Sequence, residues 1–225
     1  MHIAVIPDGN RRWAQKTGKP AWWGHMAGAK KMEELAKWCS KHPEVKTVSV
    51  YALSTENLNR SPEELDRLWG IYQREFNALM KNGKTKKNGG LRVNVIGNSD
   101  MWRADVRQAA RDVMRATRQY TGGVLNILLA YGSQFEILRG MRKMVGKGIQ
   151  KVPLAEDAFN KLLMVTQPVD LVIRTGGQKR LSNFLLYQAA YAELYFTDTL
   201  WPDFSRKEFE KIFKWYRAQQ RKFGK

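Results

Sequence analysis

Ile3-Ala4-Val5-Ile6-Pro7-Asp8-Gly9-Asn10-Arg11-Arg12-Trp13 decides how the rest of the chain is read. Four apolar residues without polar alternation make a strand covered on both faces. Pro7-Asp8-Gly9 ends it in a turn, and the residues that follow begin a helix. Strand, glycine turn and helix in that order open a βαβ unit. Segments of the same apolar, β-rich kind recur at 47–53, 91–96, 124–129, 169–173 and 194–196. Helical patterns fill the intervals. Ala29, Met32, Leu35, Ala36 and Cys39 fall on one helix face, which makes Cys39 core filler. Ser61-Pro62-Glu63-Glu64 is a capping box with proline at the first helical position. It opens a helix striped by Leu65, Leu68, Trp69, Tyr72, Phe76 and Leu79. A further helix spans 102–119 and stops at Gly122-Gly123; Ser205-Arg206-Lys207-Glu208 caps the last, which carries Phe209, Ile212, Phe213 and Tyr216. Strands alternating with helices imply right-handed crossovers, hence one α/β domain over 1–225 with a six-stranded, mainly parallel sheet flanked by helices. The lysine- and glycine-rich stretch at 81–90 is a surface connection inside that domain.

The 225 residues are 43% hydrophobic, enough for one sizeable core. The net charge of +18 attracts polyanions: nucleic acid, anionic lipid headgroups or diphosphate metabolites. A single cysteine excludes an internal disulfide, and no Cys/His spacing suits zinc. No secretory leader pattern precedes the first strand, and no apolar run approaches the ~20 residues that span a bilayer. The expectation is a soluble, cytoplasmic protein whose charge favours contact with anionic membrane surfaces.

Ligands of open parallel sheets bind beyond the carboxyl ends of the strands. Those ends carry Asp8-Gly9-Asn10-Arg11-Arg12, Ser54-Thr55-Glu56-Asn57 through Arg60, Tyr131-Gly132-Ser133, and Arg174-Thr175-Gly176-Gly177 with Arg180 and Ser182. In the first loop Gly9 lets backbone N–H groups approach phosphate, the arginines offer planar donors, and Asp8 offers the hard oxygen that Mg²⁺ takes. The same residues also make an ordinary turn followed by surface arginines. Arg174, Arg180 and Ser182 form a second anion cradle, or else a solvated basic loop. Two cradles on one rim point to two phosphorylated ligands and a transferase. Nucleotide signatures are missing: Gly83-Lys84-Thr85 is like a P-loop tail, but Ala78 stands where its first glycine belongs. His25 sits near the first cradle, placed to contact phosphate or move a proton.

These motifs resemble the cis-prenyltransferases, the undecaprenyl diphosphate synthase family with its archaeal members, over nearly the whole chain. The resemblance rests on Asp8 to Trp13, Gly24-His25, Tyr51 to Arg60, Asp170 to Gly177, Arg180-Leu181-Ser182-Asn183-Phe184, and Ala192 to Phe204. It implies an allylic diphosphate seated on Gly9, Asn10, Arg11 and Arg12, beside Trp13 and His25, with its tail in an apolar tunnel. Isopentenyl diphosphate would lie against Arg174, Arg180, Leu181 and Ser182. Asp8 would hold Mg²⁺ and assist departure of diphosphate, with Glu193 as a further metal ligand. Asn57 would lie near the departing proton, with Ser54, Thr55, Glu56 and Arg60 beside it. A homodimer is also implied, in which Lys222-Phe223-Gly224 reaches the partner's site. Four positions depart from the family pattern: Ala21, Gln178-Lys179, Ser133-Gln134 and Lys222. They leave open an irregular coupling that uses dimethylallyl diphosphate. A basic nucleic-acid binder is the competing class, suggested by Lys84, Lys86, Lys87 and the run Lys207, Lys211, Lys214, Arg217, Arg221, Lys222. No recognised nucleic-acid motif accompanies those charges, and nucleic acid is not expected as a partner.

Overall fold

The computed structural model describes residues 1–81, 90–146, 148 and 156–219. Gly83-Lys84-Thr85, Lys86, Lys87, Arg221 and Lys222-Phe223-Gly224 lie outside the described residues. Six strands form one parallel sheet: β1 (His2–Ile6), β2 (Thr47–Ser54), β3 (Arg92–Ile96), β4 (Val124–Tyr131), β5 (Leu171–Arg174) and β6 (Glu193–Phe196). Their order is β3-β4-β2-β1-β5-β6. Helices α1 (Asn10–Lys16), α2 (Ala21–Cys39), α3 (Pro62–Lys81), α4 (Ala104–Thr117), α5 (Ser133–Gly146), α6 (Glu156–Asn160) and α7 (Arg206–Arg217) complete the fold. After β1 the chain crosses to β2 on one side, and after β5 it goes to β6 on the other. The crevice between the β1 and β5 carboxyl ends is therefore the topological switch point, where ligands of such sheets bind.

Alternate residues of the strands serve two cores. Ile3, Val5, Val48, Val50, Leu125, Ile127, Leu171 and Ile173 face the larger one, packed with side chains of α2, α3, α4 and α7. Ala4, Ile6, Tyr51, Leu128, Tyr131 and Val172 face the other, with Val165, Phe184 and Leu185. The second face also carries a polar row. His2 Nε2 meets Ser49 Oγ at 2.7 Å, Asn126 Nδ2 donates to the same hydroxyl at 3.0 Å, and Asn94 Nδ2 donates to Asn126 Oδ1 at 2.9 Å. These mutually satisfied groups cross four strands, which is why buried polar residues are tolerated there.

Several boundaries differ from the sequence expectation. The helix expected at 102–119 begins at Ala104, because Trp102 is buried and donates Nε1–H to the Leu129 carbonyl at 3.0 Å. Val169 stands outside β5, since its N–H goes to Gln188 at 2.8 Å rather than into the ladder. Each capping box is half realised. Ser61 Oγ accepts from Glu64 N at 3.3 Å and Ser205 Oγ from Glu208 N at 3.2 Å. Glu208 turns to the hydroxyls of Thr197 and Thr199 at 2.6 and 3.0 Å, and Glu64 turns to the rim. The expected face of α2 divides in two: Leu35 and Cys39 enter the core, while Ala29, Met32 and Ala36 line a cavity. Burial pushes the Cys39 thiol up to about 12, so it is inert filler as expected.

Candidate functional site

The sheet register places Ile6 beside Arg174, so the residues just past β1 meet the end of β5. Arg174 Nη2 donates to Asp8 Oδ2 at 2.9 Å. Its Nη1 donates to Ser182 Oγ at 2.8 Å and to the Arg180 carbonyl. Arg12 Nη2 donates to Asp8 Oδ1 at 3.2 Å and to the Gly176 carbonyl at 2.7 Å. One carboxylate therefore bridges two guanidiniums, and the two cradles expected from sequence form a single cleft. The Asp8 backbone is pinned as well: its carbonyl accepts from Thr175 Oγ1 at 2.8 Å and from Trp201 N at 3.0 Å. Gly9 follows at φ 110°, and a Cβ there would stand 2.9 Å from Leu200, so the turn needs glycine for both reasons. Helix α1 has only seven residues, which leaves arginine side chains rather than a helix dipole as the main positive charge.

The cleft encloses about 570 Å³ and is lined by Asp8, Gly9, Asn10, Arg11, Arg12, His25, Ser54, Asn57, Arg60, Arg174, Arg180 and Ser182. Five of those side chains are guanidiniums and one is a carboxylate, which makes it an anion site. Other expected residues stand apart from the lining. Trp13 donates Nε1–H to Asp203 Oδ1 at 2.7 Å and fastens α1 to the 201–203 turn. Leu181 packs against the second core. Glu56 accepts from Asn183 Nδ2 at 2.9 Å, and Thr55 N donates to the Tyr131 carbonyl at 3.0 Å. Burial would push the Glu56 carboxyl up, but the hydrogen bonds from Asn183 and its neighbours outweigh it and hold the pKa below the usual value. Thr55 and Glu56 thus brace the rim from behind.

Glu193 stands apart from Asp8 in this chain. It pairs with Leu171 at the start of β6, level with Ile3, whereas Asp8 lies beyond the end of β1 two strands away. From Ile3 to the end of β1 at Ile6 is three residues of rise, roughly 10 Å, and two strand spacings add roughly 10 Å across the sheet, so within one chain the two carboxylates start from well-separated backbone positions. Among the described residues, no group of three or more His, Cys, Asp or Glu side chains could hold a metal.

The sequence marks Glu64 only as part of a capping box, and its role at the cleft is not legible there. Its Oε1 takes Arg60 Nη1 at 3.0 Å, His25 Nε2 at 3.6 Å and Arg11 Nε at 3.8 Å. It draws α1, α2 and Arg60, two residues ahead of α3, together at the cleft mouth; the spacing of Arg60 and Glu64 was the available signal. Burial, then the Arg60 charge, lowers the His25 pKa from 6.5 to about 4, against the pull of Glu64. The imidazole is neutral at physiological pH. Between pH 6.5 and 4 an unfolded chain binds a proton that folded His25 refuses, so stability is lost as pH drops from 6.5 towards 4. Urea titrations of His25→Gln should show a flatter dependence there than the parent; an unchanged slope would remove His25 as its source.

Beneath the cleft, between α2 and α3, lies a cavity of about 330 Å³. Ala29, Met32, Ala36, Leu68, Ile71, Phe76, Leu79 and Ile127 give it an apolar wall, and it reaches Gly90 and Gly122 before the amino ends of β3 and β4. Pro7, Asn10, His25, Ala52, Leu68 and Tyr72 line both spaces, so the anion cleft and the apolar cavity share a wall. A guanidinium-lined cleft over an apolar hollow, at the switch point of a parallel sheet, defines a class: α/β enzymes that bind ligands with an anionic head and an apolar tail.

The chain matches the family described as putative undecaprenyl diphosphate synthase over residues 6–224. It is 44% identical to the tritrans,polycis-undecaprenyl-diphosphate synthase (geranylgeranyl-diphosphate specific) of Thermococcus kodakarensis, across 100% of this chain and 86% of that protein. Against the ditrans,polycis enzyme ((2E,6E)-farnesyl-diphosphate specific) of Buchnera aphidicola it is 38% identical, across 100% and 90%. Among solved structures, lavandulyl diphosphate synthase from Lavandula x intermedia, in complex with dimethylallyl diphosphate, superposes with TM-score 0.93 at 29% identity, covering 100% of this chain and 98% of the other. A probable undecaprenyl diphosphate synthase from Campylobacter jejuni gives 0.84 at 33%, with the same coverage. This chain belongs to the cis-prenyltransferase family.

Proposed function

We propose that the protein condenses isopentenyl diphosphate with an allylic prenyl diphosphate, farnesyl or geranylgeranyl diphosphate, in cis configuration, giving a long-chain polyprenyl diphosphate. The observation that carries this reading is that the arginine cleft and the apolar cavity adjoin, with six lining residues in common. Such a junction suits a diphosphate head with a hydrocarbon tail, whose burial contributes about 0.8 kcal/mol per methylene. The named activities of the relatives support it. Asn10, Arg11 and Arg12 would take the allylic headgroup, and Arg174, Arg180 and Ser182 the isopentenyl one. The C1–O bond of the allylic diphosphate breaks, the isopentenyl double bond attacks C1, and a proton leaves the isopentenyl C2. Asn57, on the cleft wall, is an amide and a weak base, so the departing diphosphate would accept that proton.

Asp8 suits Mg²⁺ as a single hard ligand, since such ions are held by one or two carboxylates while substrate phosphates and water fill the rest. Bound there, the ion would neutralise charge on the leaving diphosphate. Both Asp8 oxygens carry an arginine donor, and each keeps a further lone pair for the ion. For a homodimer the support is apolar exposure: Leu138, Met141 and Val145 along α5, with Leu186, Tyr191 and Leu194 near β6. Glu193 stands beside Leu194 on that edge strand. Among the described residues no helix is long and apolar enough to cross a membrane.

Incubation with Mg²⁺, labelled isopentenyl diphosphate and C10–C20 primers should yield extractable polyprenyl diphosphates. No incorporation with any primer would refute the reading. The TM-score of 0.93 to lavandulyl diphosphate synthase favours, as a second reading, irregular coupling with dimethylallyl diphosphate. Product connectivity by NMR separates the two. Salt-dependent nanomolar affinity for RNA or DNA without prenyl transfer would favour the nucleic-acid class instead.

A further inference from the structure

Helix α2 reaches past the cleft at its amino end. Trp22 precedes His25 by three residues and Ala29 by seven, so it shares the helix face whose later residues line the cavity, one turn nearer the amino end. Trp23, 42% exposed, lies beside it with ring centroids 5.3 Å apart. Two cations cover this pair: Lys19 Nζ is 4.9 Å from the Trp23 ring, and the Arg67 guanidinium of α3 is 5.6 Å from that of Trp22. Both cations are on exposed residues, and neither has a carboxylate within ion-pair reach among the described residues. A core would bury the indoles, and a purely solvated face would not need them.

Indoles and lysine or arginine side chains at one level suit the boundary of a bilayer, where the ring sits among headgroups and the cation meets lipid phosphate. We propose that Trp22, Trp23, Lys19 and Arg67 form the surface by which this protein docks on an anionic phospholipid membrane, with the cavity mouth against the lipid. The inference rests on the reading that the product carries a long apolar tail, which needs a route into lipid rather than water.

Flotation of the full chain with phosphatidylglycerol/phosphatidylcholine vesicles, against phosphatidylcholine alone, tests it. The parent should float with the anionic vesicles only. The double variant Trp23→Ser, Lys19→Glu should lose roughly tenfold in partitioning. The control Lys207→Glu, Lys211→Glu, on the exposed face of α7, changes twice the charge and should lose less. An equal or greater loss in the control would mean diffuse electrostatics and overturn the proposal, as would unchanged flotation of the patch variant. A lower mass for that variant in sedimentation would assign the patch to a contact between copies. Transfer RNA binding that depends on the patch, without flotation, would assign it to nucleic acid; either outcome overturns the lipid assignment. Condensation measured in detergent, without vesicles, should be the same in parent and patch variant. Failure of the enzymatic reading would show in that assay alone, separate from any result with vesicles.

Discussion

Asp8→Ala is expected to lower turnover by about three orders of magnitude, the scale on which removing a positioned charge-stabilising group acts. Asp8 is the one carboxylate among five guanidiniums in the cleft. In the proposed mechanism it is also the protein's ligand for Mg²⁺. Structure complicates the substitution. Arg174 is only 4% exposed, its Nε already lacks a partner, and Asp8 Oδ2 is the acceptor for its Nη2. Truncating one partner of a buried pair can cost about 3–5 kcal/mol, less here because the Asp8 side chain is 30% exposed. Asp8→Asn separates the two effects. An amide oxygen still accepts from one arginine, so the thermal midpoint should stay within a few degrees, but the amide is a poor Mg²⁺ ligand. Incorporation of labelled isopentenyl diphosphate should fall in both variants, with unfolding midpoints measured alongside. Undiminished turnover in Asp8→Asn would remove the carboxylate from the mechanism. Loss of activity only in step with loss of fold would reduce Asp8 to a structural role.

The strands were legible because their faces are covered: Ile3 to Ile6, Val48, Val50 and Leu171 to Ile173 are buried, and continuous apolarity is the signature of that environment. Once the strands are placed, the rim follows, since carboxyl ends of parallel strands lie together. The meeting of Asp8 with Arg174 across 166 positions is a consequence of strand order and register. Side-chain direction was less legible. Periodicity assigned Ala29, Met32, Leu35, Ala36 and Cys39 to one apolar face, yet a hydrophobic stripe is the same whether it meets a core or a hollow. The space between α2 and α3 depends on how far apart the helices sit, which no pattern within one helix encodes. Glu64 and Glu208 were hidden for a related reason. A carboxylate at the third helical position satisfies a local rule, and only tertiary neighbours decide whether it bonds its own cap or a distant side chain. A matched motif names Glu193 without saying at which end of a strand it lies, and the register places it at the start of β6.

Helix spacing also yields the second large effect, expected for Gly24→Ala. A Cβ at Gly24 would stand 1.9 Å from the Asn10 carbonyl oxygen and 2.7 Å from its carbon, both backbone of α1. No rotamer change relieves such a clash, so α1 and α2 must separate. Overpacking of this kind costs about 1–3 kcal/mol, and α1 carries Asn10, Arg11 and Arg12 at the cleft. A displacement near 1 Å can lower turnover by about 10²-fold when it misplaces a group that binds substrate. Gly70→Ala makes the same chemical change in α3, where a Cβ meets nothing within 4 Å. There the added methyl should stabilise by about 0.4–1 kcal/mol, by restricting the unfolded chain and favouring helix, with activity unchanged. Urea unfolding of the two variants beside the parent should therefore move in opposite directions, with turnover falling in the first alone. A shift of the same sign in both would mean that backbone propensity, and not the approach of α1 to α2, governs these sites. Unaltered kinetics in Gly24→Ala would separate the placement of α1 from the binding of the allylic headgroup.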